Sequence, residues 1–189
     1  MGLLLVTTEP PEGMEEEFHD WYDTEHIPQR LTLPGFESAS RWQCVEGSPR
    51  WLALYELASP AALETAEYRS TSGAHSTPWT QRVAPRVGRA RIVAAQIFPG
   101  DEPLLPAVLI SRLLLVRFPR LTESVPEGLT SPTVPGLLQV RLFRADSDLW
   151  LVGAFDRAIR MRPVVDECTR LAGAEADLTN LYVPYSRST

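Results

Sequence analysis

The 189-residue chain has no lysine: all 18 of its basic residues are arginines. That absence excludes Schiff-base catalysis, a lysine-anchored pyridoxal phosphate and a P-loop lysine. Cysteine is scarce as well. Cys44 and Cys168 stand one in each half, without metal-knuckle or Cys-x-x-Cys spacing, so two buried thiols are expected rather than a zinc or redox site. Positive charge is outweighed. Twenty-four acidic residues leave a net charge of −6, and no basic run marks a nucleic-acid face or an anionic-membrane anchor. Long apolar runs are missing too: Gly2 to Val6 is too short for a signal-peptide core or a membrane span, and Leu104 to Val116 is interrupted by Pro106, Ser111 and Arg112. These features predict a soluble, cytoplasmic protein with neither nucleic-acid nor membrane partners. Serine-nucleophile signatures and glycine-rich phosphate loops are also lacking. What is present is a hydrophobic content of 44%, ample for a packed core.

The most informative pattern is an internal echo. Leu33-Pro34-Gly35-Phe36 and the residues after it return as Val134-Pro135-Gly136-Leu137, and Trp51-Leu52 returns as Trp150-Leu151. Strand and helix signals follow the same order in each half. In residues 1–98, strands are expected at 3–7, 36–45, 51–57 and 89–98. A first helix runs from Met14 to about His26 and is ended by Pro28. A second starts at Ser59-Pro60 and continues to about Ser70, and a short helical stretch covers 79–83. Residues 99–103 read as a linker. In residues 104–189, strands are expected at 108–118, 137–144, 149–155 and 178–185, with a helix at 161–172. The order β-α-β-β-α-β is the ferredoxin-like unit. The fold class is therefore α+β, two ferredoxin-like repeats packed sheet to sheet as a pseudo-dimeric α/β barrel around a cavity. The second repeat is degenerate: residues 119–133 are too short and proline-rich to carry a long first helix.

The segment Glu16-Glu17-Phe18-His19-Asp20-Trp21-Tyr22-Asp23-Thr24-Glu25-His26-Ile27-Pro28, with Leu33-Pro34-Gly35-Phe36 and Arg41-Trp42, resembles the dimeric α/β-barrel superfamily. The EthD-like branch is the nearest likeness. Its motifs cover residues 14–42, and the likeness beyond residue 98 is architectural. The resemblance implies a barrel with a ligand cavity and leaves the reaction open, since relatives include isomerases, cyclases, monooxygenases and haem proteins. Most relatives assemble the barrel from two chains, whereas tandem copies would do so in one, and two such chains could pair again as a homodimer.

The residues that could carry chemistry cluster in the first helix. His26, placed at a helix C-terminus, would have its imidazolium favoured by the dipole, and Glu25 or Asp23 could orient the ring. As an acid/base it could move a proton beside a carbonyl; the competing role is a helix cap bonded to a backbone carbonyl. Tyr22, one turn earlier, could donate to a developing enolate, or simply pack in the core. Arg41 and Trp42 point to opposite faces of their strand. Arg41 could hold a substrate anion or pair with a helix, while Trp21 and Trp79 would serve as cavity wall. His75, in a Ser/Thr/Gly-rich loop, could act at the cavity mouth or be solvated. His19, Asp23 and His26 share a helical face, but nothing completes a metal set, so none is expected. No cofactor is expected either. Haem enters only by analogy with haem-binding relatives and needs a proximal histidine, for which only His75 is even approximately placed. The expectation is a small-molecule enzyme using cofactor-independent acid/base chemistry, of isomerase, cyclase or dehydratase type, on an apolar or aromatic carbonyl substrate in the barrel cavity. The alternatives are a non-catalytic ligand-binding protein and a haem- or oxygen-dependent, monooxygenase-like protein.

Overall fold

A computed structural model describes residues 1–122 and 124–185. Eight strands form one closed antiparallel barrel: β1 Gly2–Glu9, β2 Phe36–Glu46, β3 Trp51–Leu57, β4 Gly88–Phe98, β5 Arg112–Phe118, β6 Leu137–Ala145, β7 Asp148–Phe155 and β8 Leu178–Pro184. Their order around the barrel is β1-β3-β2-β8-β5-β7-β6-β4. Each half thus contributes four neighbouring strands in equivalent order, β4-β1-β3-β2 and β8-β5-β7-β6. Two seams, β2 with β8 and β4 with β6, close the ring. The chain is α+β, with helices outside the barrel.

Alternation along the strands sorts side chains between the two faces. Leu3, Leu5, Leu52 and Leu54 join Leu113, Leu115, Phe143, Trp150 and Val152 in a cluster that fills the barrel interior. Leu4, Val6, Trp51, Ala53 and Tyr55 face the other way, toward the helices of the first half. This corrects the expectation of a cavity between the two sheets. Large apolar residues inside leave no room there, as close packing of a small barrel requires.

The interior also holds charge. Arg141 on β6 makes a two-pronged ion pair with Glu56 on β3, at 2.7 and 2.6 Å, and also donates to Gln96 on β4. Both members of the pair are fully buried. It ties the first half to the second.

Other expectations need correction. Gly35 and Gly136 both adopt left-handed φ, at 81° and 82°, just before β2 and β6. Trp42 and Phe143, 101 residues apart like the two Pro-Gly turns, both point into the barrel, so the Pro-Gly echo is a structural equivalence. The Trp51/Trp150 echo is not. Trp51 faces the helices and Trp150 faces the interior, and a one-residue slip in a strand moves a side chain to the opposite face. The first helix does not stop before Pro28. It runs Glu15–Trp21, passes through a π-turn at Tyr22–His26, and resumes as Ile27–Leu31. The second helix is broken into Pro60–Glu64, Ala66–Ser70 and Gly73–His75, followed by Pro78–Val83. Threonines 65 and 77, rather than Ser59, provide side-chain caps. Ala107–Leu109 forms a 3-10 turn, so β5 starts only at Arg112. Cys168 is buried as expected, but Cys44 is only half-buried. Among the described residues, no helix is long and apolar enough to cross a membrane.

Candidate active site

A cavity of about 400 Å³ lies between the outer face of the first half's sheet and its helices, within the size range of small-molecule sites. Its floor is Leu4, Val6 and Thr8 of β1, with Tyr55 of β3 and Arg89 and Arg91 of β4. Phe18, Trp21, Tyr22, His26 and Arg30 of the first helix form one wall. The opposite wall comes from the short helices and turns between β3 and β4, through Tyr68, Ser72, Ser76, Thr80, Gln81 and Pro85. The matching face of the second half is covered by the helix Met161–Ala172 and by Leu129. The space there is about 10 Å³, enough for at most one water. Among the described residues, a ligand-sized cavity belongs to the first half.

The π-turn decides which helical side chains enter the cavity. It lets Ile27 N–H bond to Tyr22 O, five residues back, and so inserts one residue into the 3.6-residue phase. It also precedes Pro28, which has no N–H for an ordinary helical bond. His26 is thereby brought over Trp21 and Tyr22, with ring centroids 4.4 and 5.2 Å apart. His19 and Asp23 turn toward β2. Arg41 donates to Asp23 at 2.6 Å and to His19 Nδ1 at 2.7 Å, and its guanidinium lies over Tyr22 and Tyr185. His19, Asp23 and His26 therefore do not share one face, and among the described residues no cluster of three His, Cys, Asp or Glu side chains could hold a metal ion.

His26 Nδ1 is buried without a hydrogen-bond partner, which leaves Nε2 as the ring nitrogen able to meet a ligand. Burial depresses the imidazole pKa from 6.5 to about 3, and the guanidinium charges of Arg30, Arg89 and Arg91 push it the same way. The expected rise at a helix C-terminus is overturned, because the helix continues for a further turn and the ring is desolvated rather than capped. His26 is a neutral imidazole at neutral pH. Burial also raises the pKa of Tyr22 and of Tyr55, so both phenols keep their protons. The Tyr55 hydroxyl lies beside that of Tyr22 without a well-aligned bond.

Of the residues singled out from the sequence, His26, Tyr22 and Trp21 line the cavity. Glu25, Arg41, His75 and Trp79 do not. Glu25 accepts from Thr77 at 2.5 Å and Thr80 at 3.3 Å, while Trp21 Nε1 donates to Thr80 at 3.0 Å. Glu25 therefore fastens the helix Pro78–Val83 to the first helix instead of orienting His26. Arg41, expected as an anion holder, is taken up by Asp23 and His19 and anchors the first helix to the sheet. Trp42 is the member of that pair that faces the barrel interior. Trp79 donates to Glu17 at 3.2 Å, and His75 is exposed on the rim. Arg30, Arg89, Arg91, Tyr55 and Tyr68 were not anticipated. The Arg89-Ala90-Arg91 alternation does signal two arginines on one strand face, and Arg30 follows His26 by one turn once the helix is known to pass Pro28.

The sequence matches no protein-family model and no curated protein. Solved structures do match in shape. An anthrone oxidase-like protein aligns over 98% of this chain and 91% of its own, with TM-score 0.65 and 13% identity. A protein provisionally named as a chlorite dismutase aligns over 98% and 94%, with TM-score 0.60 and 8% identity. A provisionally named monooxygenase from Fusobacterium nucleatum subsp. nucleatum aligns over 97% and 91%, with TM-score 0.51 and 10% identity. The chain has the dimeric α/β-barrel fold. At these identities the likeness extends to architecture alone.

Haem, raised only by the resemblance, does not suit the histidines among the described residues. His75 is exposed and outside the cavity lining, and His19 Nδ1 is bonded to Arg41. His26 lacks the acceptor at its second nitrogen that normally orients an axial imidazole.

Proposed function

We propose that the chain is a small-molecule enzyme that binds a mainly apolar, aromatic carbonyl compound in this cavity and moves a proton on a carbon that the carbonyl acidifies, adjacent to it or conjugated with it across a ring. The observation that carries this reading is a neutral imidazole, free of hydrogen bonds at its buried nitrogen, set among aromatic side chains in a partly open cavity of about 400 Å³. In this reading Nε2 of His26 takes the proton as general base. The Tyr22 and Tyr55 hydroxyls, held protonated by burial, donate to the enolate oxygen as charge develops there. Trp21 and Phe18 form the wall for the ring system. The imidazolium and enolate created together stabilise each other beside apolar and aromatic walls, which offsets the weak basicity of the resting imidazole.

The two halves are proposed to be a tandem duplication, residues 1–98 and 104–189 joined by 99–103, of an EthD-like unit. Their equivalent strand order supports this. One copy keeps the cavity, and the other covers the first copy's sheet.

The name of the anthrone oxidase-like neighbour suggests fused aromatic ketones as first probes. In deuterated buffer the protein should catalyse exchange of the methylene protons of anthrone, followed by NMR. His26→Asn should lower the rate by about 10²–10⁴-fold. If the wild-type protein exchanges no faster than buffer, the enzymatic reading fails and a ligand-binding role takes its place. The oxidase and monooxygenase names among the structural neighbours favour a second outcome in the same assay. The carbanion would react with dioxygen, the methylene becoming a carbonyl with one dioxygen consumed and one water released, and an oxygen electrode distinguishes this from proton transfer alone.

A further inference from the structure

Three cations meet at the cavity, with no carboxylate among the described residues paired to them. Arg30 is 5% exposed, yet its partners are neutral: Thr71 Oγ1 at 3.1 Å, Ser72 Oγ at 3.2 Å and the Thr71 carbonyl at 3.1 Å. Its guanidinium also lies over the Tyr68 ring, 5.1 Å from the centroid. Arg91 donates to the hydroxyl of that same tyrosine at 2.8 Å. Arg89 stands two residues before Arg91, on the same face of β4. The strand register sets Arg89 opposite Thr8 and Arg91 opposite Val6, both lining residues. Among the described residues, none of the three has a salt-bridge partner, whereas the other buried arginines, Arg41 and Arg141, are paired with Asp23 and Glu56. A buried cation without a counter-charge is costly, and two more of the same sign beside it add repulsion. The neutral partners of Arg30 do not supply the missing counter-charge, and an anionic ligand would.

We infer that the cavity takes a ligand combining an apolar ring system with a carboxylate, seated on Arg30, Arg89 and Arg91. A planar carboxylate matches the fork of a guanidinium and can accept two parallel hydrogen bonds from it. The rings would lie on Leu4 and Val6 and against Trp21 and Tyr55. The inference rests on the reading of this cavity as a small-molecule site and narrows its substrate class to aromatic acids. It also gives the arginines a part in the chemistry. Their charges now oppose protonation of His26, and a bound carboxylate would cancel much of that opposition, making His26 a stronger base when the substrate is in place.

The test compares 2-naphthoate with its neutral isostere 2-naphthamide by isothermal titration calorimetry on the full chain. Naphthoate should bind at least tenfold more tightly, and the advantage should shrink as sodium chloride is raised. Arg89→Gln/Arg91→Gln, at exposed positions that folding can spare, should reduce the advantage to about threefold or less, weakening naphthoate much more than naphthamide. Arg30→Gln should do the same wherever its circular dichroism matches wild type. Equal affinity for the two compounds, no saturable naphthoate binding, or an advantage that survives the double substitution would each overturn the inference. The readout needs no turnover. If naphthoate binds selectively but His26→Asn leaves proton exchange unchanged, the anion seat stands and the base assignment falls.

Discussion

His26 is a titratable group held against its nature. Its ordinary pKa near 6.5 is lowered to about 3, by burial first and by three arginine charges second. A group whose folded pKa lies below its unfolded value binds fewer protons when folded, so acidification favours the unfolded state. The stability tied to His26 is therefore fully present above about pH 6.5 and drains away as pH falls toward 3. The loss is about 1.4 kcal/mol for each pH unit in that window. Urea titrations at pH 7 and pH 4.5 should show wild type losing clearly more stability than His26→Gln, which has no imidazole to protonate. Parallel losses in the two proteins would mean that the ring titrates freely in solvent. The sequence flagged His26 but not its charge state. Helix position argued for a raised pKa, whereas packing against Trp21 and Tyr22 set the opposite sign. Local position gives the dipole term, and only tertiary structure gives the desolvation term.

At the scale of elements, the π-turn at Tyr22–His26 aims the site. Thr24 lies within it, exposed, with its hydroxyl on the Asp20 carbonyl at 2.7 Å. Inserting an alanine after Thr24 exceeds the one residue that the wide turn absorbs and should rotate all that follows by about 100°, carrying His26 and Arg30 away from Tyr22 and Tyr68. The expected result is a folded protein, with helical circular dichroism retained, that has lost naphthoate binding. Binding within twofold of wild type would show that the turn does not position the site. Such a turn is hard to read in advance. Helical periodicity grouped His19, Asp23 and His26 on one face, and the extra residue split them, two toward Arg41 and one toward the cavity. Strands were easier, because period-two burial and the Pro-Gly turns before Phe36 and Leu137 placed β2 and β6 within a residue or two. The repeat of tryptophans at 51 and 150 misled, since a one-residue offset keeps the sequence likeness and reverses the face.

For the whole molecule, the barrel interior is a packed scaffold and the ligand-sized cavity lies outside it. Folding the eight strands into a ring leaves no exposed sheet edge and fills the centre with leucines and aromatics. The Glu56–Arg141 pair inside joins the halves. Removing one partner leaves the other charge buried, so Glu56→Ala should cost about 3–5 kcal/mol. Replacing both with apolar residues of similar volume should recover much of that loss, as guanidinium chloride unfolding can measure. The inequality between the halves is the functional point. Both present an outer sheet face to helices, but a long first helix arches over one, leaving about 400 Å³, while side chains fill the other. That the second half would lack a long first helix was readable from the short, proline-rich residues 119–133, where only Glu127–Thr130 is helical among the described residues; where the cavity lies was not, because the sequence could not tell a filled barrel from a hollow one.

The central claim is that a neutral His26 inside the outer cavity takes a proton from an aromatic ketone. The rate of anthrone methylene exchange in deuterated buffer, measured against pH for wild type and His26→Asn, tests it most directly. The account predicts wild-type catalysis that stays nearly level from about pH 8 down to pH 5, because a base with a pKa near 3 remains deprotonated throughout, and its loss in the variant. Catalysis that survives in His26→Asn, or halves near pH 6.5 as an ordinary imidazole would, contradicts it.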